Sequence, residues 1–266
     1  MLRSRILTAL ILAPLVLSAV YLLPLAGYAA FFWLIGAAGA YEWAALAGLN
    51  GLLKRLGYVS ILAVLALALW HLPALWQPTL WAGTGFWMLA IAAVIAFPRS
   101  GRIMDHRFLL AAAGLLVMLA AWMGLVVIRA TPNGANWMVW LLLLIWGADI
   151  GAYFAGRRFG RRKLAPQVSP GKTWEGVGGG ALVSLAITSG MLFLMGSFAL
   201  WWLPVILILV AVSIFGDLFE SALKRHLGVK DSGSLLPGHG GALDRIDSVI
   251  AALPVFALLL SLTAAA

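Results

Sequence analysis

Cysteine is absent from the 266-residue sequence, and charged residues make up only 10% of it. The first absence removes disulfides, thiolate nucleophiles and cysteine-based metal sites from consideration. The second leaves too little polar surface to cover a soluble globule, since 64% of the chain is hydrophobic. Acidic residues are scarce too, nine against eighteen Lys and Arg, for a formal charge of +9. In a soluble protein that excess would suggest nucleic acid. Beside apolar spans it reports orientation and anionic headgroups or phosphates instead, so no nucleic-acid partner is expected.

What fills the chain is apolar sequence in stretches near the ~20 residues needed to cross about 30 Å of hydrocarbon. Nine spans are expected, at about 6–26, 29–47, 57–73, 79–97, 108–129, 136–155, 176–197, 199–219 and 246–264. The fold class is therefore an all-α, polytopic integral membrane protein. With the N-terminus inside, seventeen of the eighteen Lys and Arg fall on inner segments and only Arg129 falls outside. That asymmetry implies an N-in, C-out topology. Arg3 and Arg5 before an apolar stretch have the look of a signal peptide, but Pro24-Leu25-Ala26-Gly27 leads straight into the next span, so the segment reads as retained.

The chain reads as one membrane domain, 1–266. Residues 1–135 form an N-terminal scaffold and a wall for a lipid, and residues 136–266 form a catalytic half. Two inner loops, 156–175 and 220–245, are long and crowded with Gly, Lys and Arg, whereas the outer connections are short and nearly uncharged. Seven of the nine acids lie between 149 and 247.

Several groupings in that half suit phosphate and cation chemistry. Asp217, Glu220, Ser221 and Lys224 recur at i, i+3, i+4 and i+7, which places them on one helical face. A plain interfacial ion pair of Asp217 with Lys224 or Arg225 is the structural alternative. Asp244 and Asp247, three apart at the start of the last span, suit a hard divalent cation, which takes one or two carboxylates plus waters and substrate phosphates. Equally, two acids favour any helix N-terminus. Lys224, Arg225, Lys230 and Arg245, with Gly240 and Gly241 between, supply cations and free amides for a polyphosphate. Asp149 stands inside a span, where an acid is a functional candidate by default, with pairing to Arg157 as its bland alternative. His239, between glycines beside the acidic pair, has no second convergent histidine for zinc. The run Ser169-Pro170-Gly171-Lys172-Thr173 carries Gly-Lys-Thr, but a Walker loop would need glycine where Pro166 stands and a strand before it. Lys172 and its neighbouring amides remain candidates for phosphate.

Ser221-Ala222-Leu223-Lys224-Arg225, then Lys230-Asp231, Gly233, Leu236-Pro237 and His239-Gly240-Gly241-Ala242-Leu243-Asp244-Arg245-Ile246-Asp247, resemble the signature of the phosphatidate cytidylyltransferases, or CDP-diacylglycerol synthases. Asp149-Ile150-Gly151-Ala152-Tyr153, Gly156-Arg157, Phe159-Gly160, Leu164-Ala165-Pro166, Ser169-Pro170 to Gly176, Arg5, Pro14 and Glu42-Trp43 look like the same family. Ala242 departs from it, where a bulkier aliphatic is expected. The resemblance implies a Mg²⁺-dependent enzyme of the bacterial inner membrane, commonly a homodimer, that joins CMP from CTP to phosphatidic acid at a site facing the cytoplasm. It implies a metal centre on Asp217 and Asp244; beside it, Asp247 is expected to help on the metal as ligand or from just behind it and Lys224 to join the catalytic set, with a second cation such as K⁺ left open. Substrate binding would involve Asp149, Ser169, Lys172, Thr173, Arg225, Lys230, Asp231, His239, Gly240, Gly241 and Arg245, in a setting of membrane lipids. A cytidylyltransferase for another lipid phosphate and an ion transporter using Asp149 and Asp217 are the competing readings.

Overall fold

The structure is a computed structural model that describes residues 2–233 and 240–264, with side chains described from residue 12 to residue 262. Its apolar stretches form helices because a chain without access to water must satisfy every backbone N–H and C=O within its own segment. In chain order these are α1 (Leu2–Leu22), α2 (Leu25–Leu46), α3 (Leu52–His71), α4 (Trp76–Ile95), the single turn α5 (Gly101–Met104), α6 (Arg107–Ala130), α7 (Gly134–Phe159), α8 (Trp174–Leu194), α9 (Trp202–His226) and α10 (Leu243–Ala264), with a 3₁₀ turn at Pro73–Leu75. Among the described residues, eight helices are long and apolar enough to cross a membrane. The expected span at 6–26 overlaps α1, which ends at Leu22 and whose described apolar part is Leu12–Leu22.

The architecture is that of the expected α-helical polytopic membrane protein, with two details added. In the connection from α7 to α8, Lys163–Ala165 (β1) and Ser169–Thr173 (β2) pair antiparallel, Lys163 with Thr173 and Ala165 with Ser169. Pro166 and Pro170 remove N–H donors that a helix would need, so the connection from α7 to α8 closes as a hairpin instead. The second detail is one of length. α9 and α7 run past the expected inner ends of their spans, to His226 and Phe159, and carry their polar residues on continuous helix.

α6 and α10 lie at the centre of the bundle; α10 touches α2, α4, α6, α7 and α9. Core residues include Trp43, Trp87, Trp140, Met123 and Phe256, all almost fully enclosed. α7 and α8 pack most closely of all. Glycines line their seam, and a methyl on Gly151 would strike the Gly179 carbonyl. Small residues permit such backbone approach in membrane helices. The consequence is that Asp149 on α7 stands beside the hairpin that leads into α8.

Candidate active site

The site lies at the end of the bundle where α7 and α9 finish, α8 and α10 begin, and the hairpin folds over. Its hairpin side is held by local bonds. Thr173 Oγ1 accepts the Gly176 N–H at 3.1 Å and caps α8, while Glu175 reaches back to accept the N–H groups of Arg161 at 3.0 Å and Arg162 at 3.1 Å. β2 is thereby fixed to α8, and Lys172 is carried over α9. Lys172 Nζ stands 2.8 Å from Asp217 Oδ2, and Ser221 Oγ donates to Asp217 Oδ1 at 3.2 Å. A cavity of about 410 Å³ opens beside this pair, lined by Asp149, Tyr153, Arg157, Gly171, Lys172 and Thr173 among others.

The other side is the elbow between α9 and α10. Lys224 Nζ is 3.0 Å from Glu220 Oε1, one helical turn back, and also binds Asp244 Oδ1. Asp244 Oδ2 accepts the N–H groups of Gly241 at 2.8 Å and Ser232 at 3.3 Å, so it ties the loop after α9 to the start of α10. Gly240 completes the turn with φ +81°, a conformation that favours glycine.

A second carboxylate grips the same loop from below. Glu42, on α2 and 2% exposed, accepts from Ser232 Oγ at 3.1 Å and from the Leu243 N–H at 2.9 Å, both through Oε2. Gly233 and Gly241 lie so close that a methyl on either would collide with the Glu42 carboxylate. Trp43 beside it donates to the Leu110 carbonyl at 2.8 Å and stacks on Phe219 of α9. A residue far back in the chain therefore sets the shape of the α9–α10 elbow.

These groups form one electrostatic set. Asp149 feels the charges of Lys172 and Asp217. Asp247 feels those of Asp217, Lys172 and Lys224, and Glu220 those of Asp247, Lys224 and Asp244. Five carboxylates share two lysines. Glu220 is 2% exposed, and although Lys224 Nζ is near, neither of its oxygens has a well-directed hydrogen bond among the described residues. An excess of buried carboxylate oxygen is a donor set that a hard cation fits. Among the described residues no three acids or histidines form a ready-made metal cage.

Of the residues singled out from sequence, Asp149, Lys172, Asp217, Lys224, Asp244 and Asp247 come together here. Asp217 takes Lys172 as its partner, not Lys224 or Arg225. Asp149 faces Lys172 and Asp217, whereas Arg157 donates to the Tyr153 hydroxyl at 3.0 Å. Thr173 serves as a helix cap, and Ser169 opens β2, half-buried. Arg225 turns to the hairpin, its Nε donating to the Val168 carbonyl at 3.4 Å. Lys230 and Asp231 are exposed on the loop, with Asp231 near Gly240. Gly240 and Gly241 form the turn before α10, and Arg245 is on the side of α10 away from α9. His239 lies outside the described residues. Sequence reasoning misses the part played by Glu42, although the rule that points to Asp149, an acid within an apolar span, applies to it equally. Glu220 lies on the expected face with Asp217 and Lys224, just past the expected span 199–219, and is held inside the bundle because α9 continues to His226.

Comparison with known proteins identifies the family. The sequence model of the cytidylyltransferase family matches residues 3–263. A phosphatidate cytidylyltransferase of Pseudomonas aeruginosa is 47% identical over 263 residues, covering 98% of this chain and 97% of that protein. One of Haemophilus influenzae is 36% identical over 285 residues, covering 96% and 97%, and one of Bacillus subtilis is 34% identical over 219 residues, covering 79% and 81%. With a match that runs almost from end to end, and with its polar residues gathered at one lysine-bearing carboxylate cluster, the chain belongs to the cytidylyltransferase family.

Proposed function

We infer that the protein transfers CMP from CTP to phosphatidic acid, giving CDP-diacylglycerol and pyrophosphate for phospholipid synthesis. Besides family membership, one observation carries the reading. Lys172, anchored on Asp217, lines an open cavity at the end of a helical bundle, and Lys224 is anchored on Asp244 at the α9–α10 elbow. Such a position serves a reaction between a membrane-held phosphate and a water-borne nucleotide.

An oxygen of the phosphatidate phosphate attacks the α-phosphorus of CTP, forming the new P–O bond as the α–β bond breaks and pyrophosphate leaves. No protein nucleophile is required. Both reactants are anions, so the site must hold them in line and offset their repulsion. An ammonium has three N–H donors. Lys172 spends one on Asp217 and can turn others into the cavity toward phosphate oxygens; Arg157 adds a guanidinium on the same wall. Lys224, held by Glu220 and Asp244, fixes the α9–α10 elbow against which the substrates seat. Asp217, Asp244 and Asp247 are the carboxylates that would hold Mg²⁺, and the metal would supply charge neutralisation at the phosphates. In this reading the basic end of the bundle faces the bacterial cytoplasm, the side toward which Lys and Arg are biased, and the acyl chains stay in the bilayer.

The test is a mass-spectrometric product assay on the purified protein in detergent with labelled CTP, Mg²⁺ and phosphatidate. The expected products are CDP-diacylglycerol and pyrophosphate in equal amounts, lost on chelation and restored by Mg²⁺. Turnover of a prenyl-ether phosphate in place of phosphatidate would reassign the substrate. Undiminished activity after chelation would remove the metal from the proposal.

A further inference from the structure

The carboxylate cluster is not the only charged feature at its end of the bundle. α6 also begins there, because the connection before it packs on the last residue of α9: a methyl on Gly101 would strike His226, whose Nε2 lies 2.7 Å from Asp105 Oδ1. α3 begins beside α6. Gly48, in the turn before α3, leaves room for the Arg107 side chain, which a methyl there would strike, and the Tyr58 hydroxyl of α3 donates to the Ala111 carbonyl of α6 at 2.7 Å. One helical turn back from that bond stand Lys54 on α3 and Arg107 on α6, on the faces that meet. Arg55 is next to them, its guanidinium 5.2 Å from the centre of the Tyr41 ring. Three cations therefore gather where the first turns of α3 and α6 adjoin. Among the described residues none of them has an acidic partner, and the buried Nε of Arg55 has no hydrogen bond. The acids on the same connections are engaged elsewhere, Glu42 under the elbow and Asp105 on His226. Like charges held together without a counter-ion repel, so the cleft is a place that an anion would stabilise.

We propose that this cleft binds the headgroup phosphate of a second anionic phospholipid, one that is not turned over. The neighbouring side chains make the occupant a lipid. Leu53 and Phe108, adjacent to Lys54 and Arg107, are 85% and 83% exposed, and Leu52, Leu56 and Leu109 are exposed as well. Apolar side chains so placed border hydrocarbon, which sets the cations between them at the depth of the headgroups. The cleft is built from α2, α3 and α6, whereas the active-site pairs belong to α9, α10 and the hairpin, so the two lipids do not compete for one place. The bound phosphate acts as a brace. α3 is thinly packed, with Tyr58, Leu62, Ala66 and Leu69 as its buried residues, and a phosphate shared by Lys54, Arg55 and Arg107 ties its first turn to α6 at the centre of the bundle. Such binding holds whichever lipid phosphate the carboxylate cluster turns over.

The experiment titrates the purified full chain, in uncharged detergent and without CTP, with dioleoyl phosphatidylglycerol or dioleoyl phosphatidylcholine. Phosphatidylglycerol is a phosphodiester with no terminal phosphate to receive CMP, so its binding is read apart from turnover. Native mass spectrometry gives the affinities, and the melting temperature reports the brace, since a ligand of the folded state raises it. The wild type should prefer phosphatidylglycerol and gain thermal stability from it. One cation near an anionic surface is worth about fivefold in affinity, so Lys54→Gln/Arg107→Gln should lower the preference by at least about tenfold and remove most of the stabilisation. The control takes two charges from the exposed hairpin instead, as Arg161→Gln/Lys163→Gln, and should keep both. If the first variant does not elute as folded protein, Lys54→Gln alone, an exposed side chain, is read for its about fivefold share. Equal affinity of the wild type for the two lipids, or a preference that survives loss of the cleft cations, overturns the proposal. An equal loss in the hairpin control overturns it too, because net charge and not the cleft then draws the lipid. Displacement of phosphatidylglycerol by an equal concentration of glycerol 3-phosphate makes the cleft a site for soluble phosphate and rejects the lipid.

Discussion

The two lysine–carboxylate pairs of the site are chemically alike and physically different. Lys172 and Asp217 join a hairpin to a helix, with side chains 28% and 35% exposed, whereas Lys224 and Asp244 join two helices and are 13% and 10% exposed. The first pair borders a cavity and is held by few bonds. The second is enclosed by Glu220, by the loop N–H groups that Asp244 accepts and by the Glu42 grip below. An ion pair in partial contact with water costs little to exchange for a substrate phosphate, while an enclosed pair is costly to break because each partner leaves a buried charge. The hairpin side is therefore suited to binding and release, and the elbow to holding its shape.

Lys224→Met is the hardest test of that contrast. It leaves Glu220 and Asp244 without their cation, and breaking a buried pair in this way costs about 3–5 kcal/mol. The variant should show a large fall in thermal stability in detergent as well as lost turnover. Wild-type stability would mean that the elbow is no more fixed than the hairpin.

Asp217→Asn comes next. Asparagine keeps the shape and the hydrogen bond from Ser221 but removes the charge facing Lys172. If Asp217 acts in the reaction, kcat falls by about 10²–10³, the range for losing one electrostatic group that acts on the transition state, with the melting temperature nearly unchanged. A variant with normal kcat and raised KM would make Asp217 a binding anchor only.

The contrast between the two pairs was partly legible in the sequence. Apolar length gave away the helices, and the spacing of Asp217, Ser221 and Lys224 placed them on one face because α9 continues unbroken to His226. Which lysine meets which acid was not legible, since Lys172 reaches Asp217 only after the hairpin folds back, and a hairpin of three and five residues punctuated by proline leaves almost no periodic signal. Glu42 was visible as an acid in a span, but its partners, Ser232 and Leu243, are fixed by tertiary packing alone. Thr173 shows the reverse case: its position before Glu175 and an apolar run is a helix-start pattern, yet Gly-Lys-Thr drew attention to phosphate first.

Glu42 extends the comparison to the scaffold. Glu42→Ala removes acceptors for Ser232 and Leu243 under the elbow and should cost about 1.5–3 kcal/mol per charged bond lost. Glu42→Gln keeps an acceptor oxygen of the same reach and should recover most of the activity. If glutamine is as damaging as alanine, Glu42 does more than position the loop.

Lys172→Gln should have the smallest effect on the fold and the most selective effect on the reaction. Lys172 is carried by a hairpin already fixed through Thr173, Glu175 and Arg225, so its removal leaves those bonds intact. Asp217 keeps Ser221 and gains water through its exposed edge. A half-exposed pair contributes about 0–1 kcal/mol to stability, so the melting temperature should barely move. Turnover is a different matter, because the ammonium lines the cavity and its remaining N–H groups can turn to phosphate. KM for CTP or for phosphatidate should rise about tenfold, the scale of one charge-assisted hydrogen bond. Whichever substrate shows the rise is the one seated on the hairpin side. A fall in stability as large as that of Lys224→Met would abolish the distinction between the two pairs, and unchanged KM for both substrates would take Lys172 out of binding.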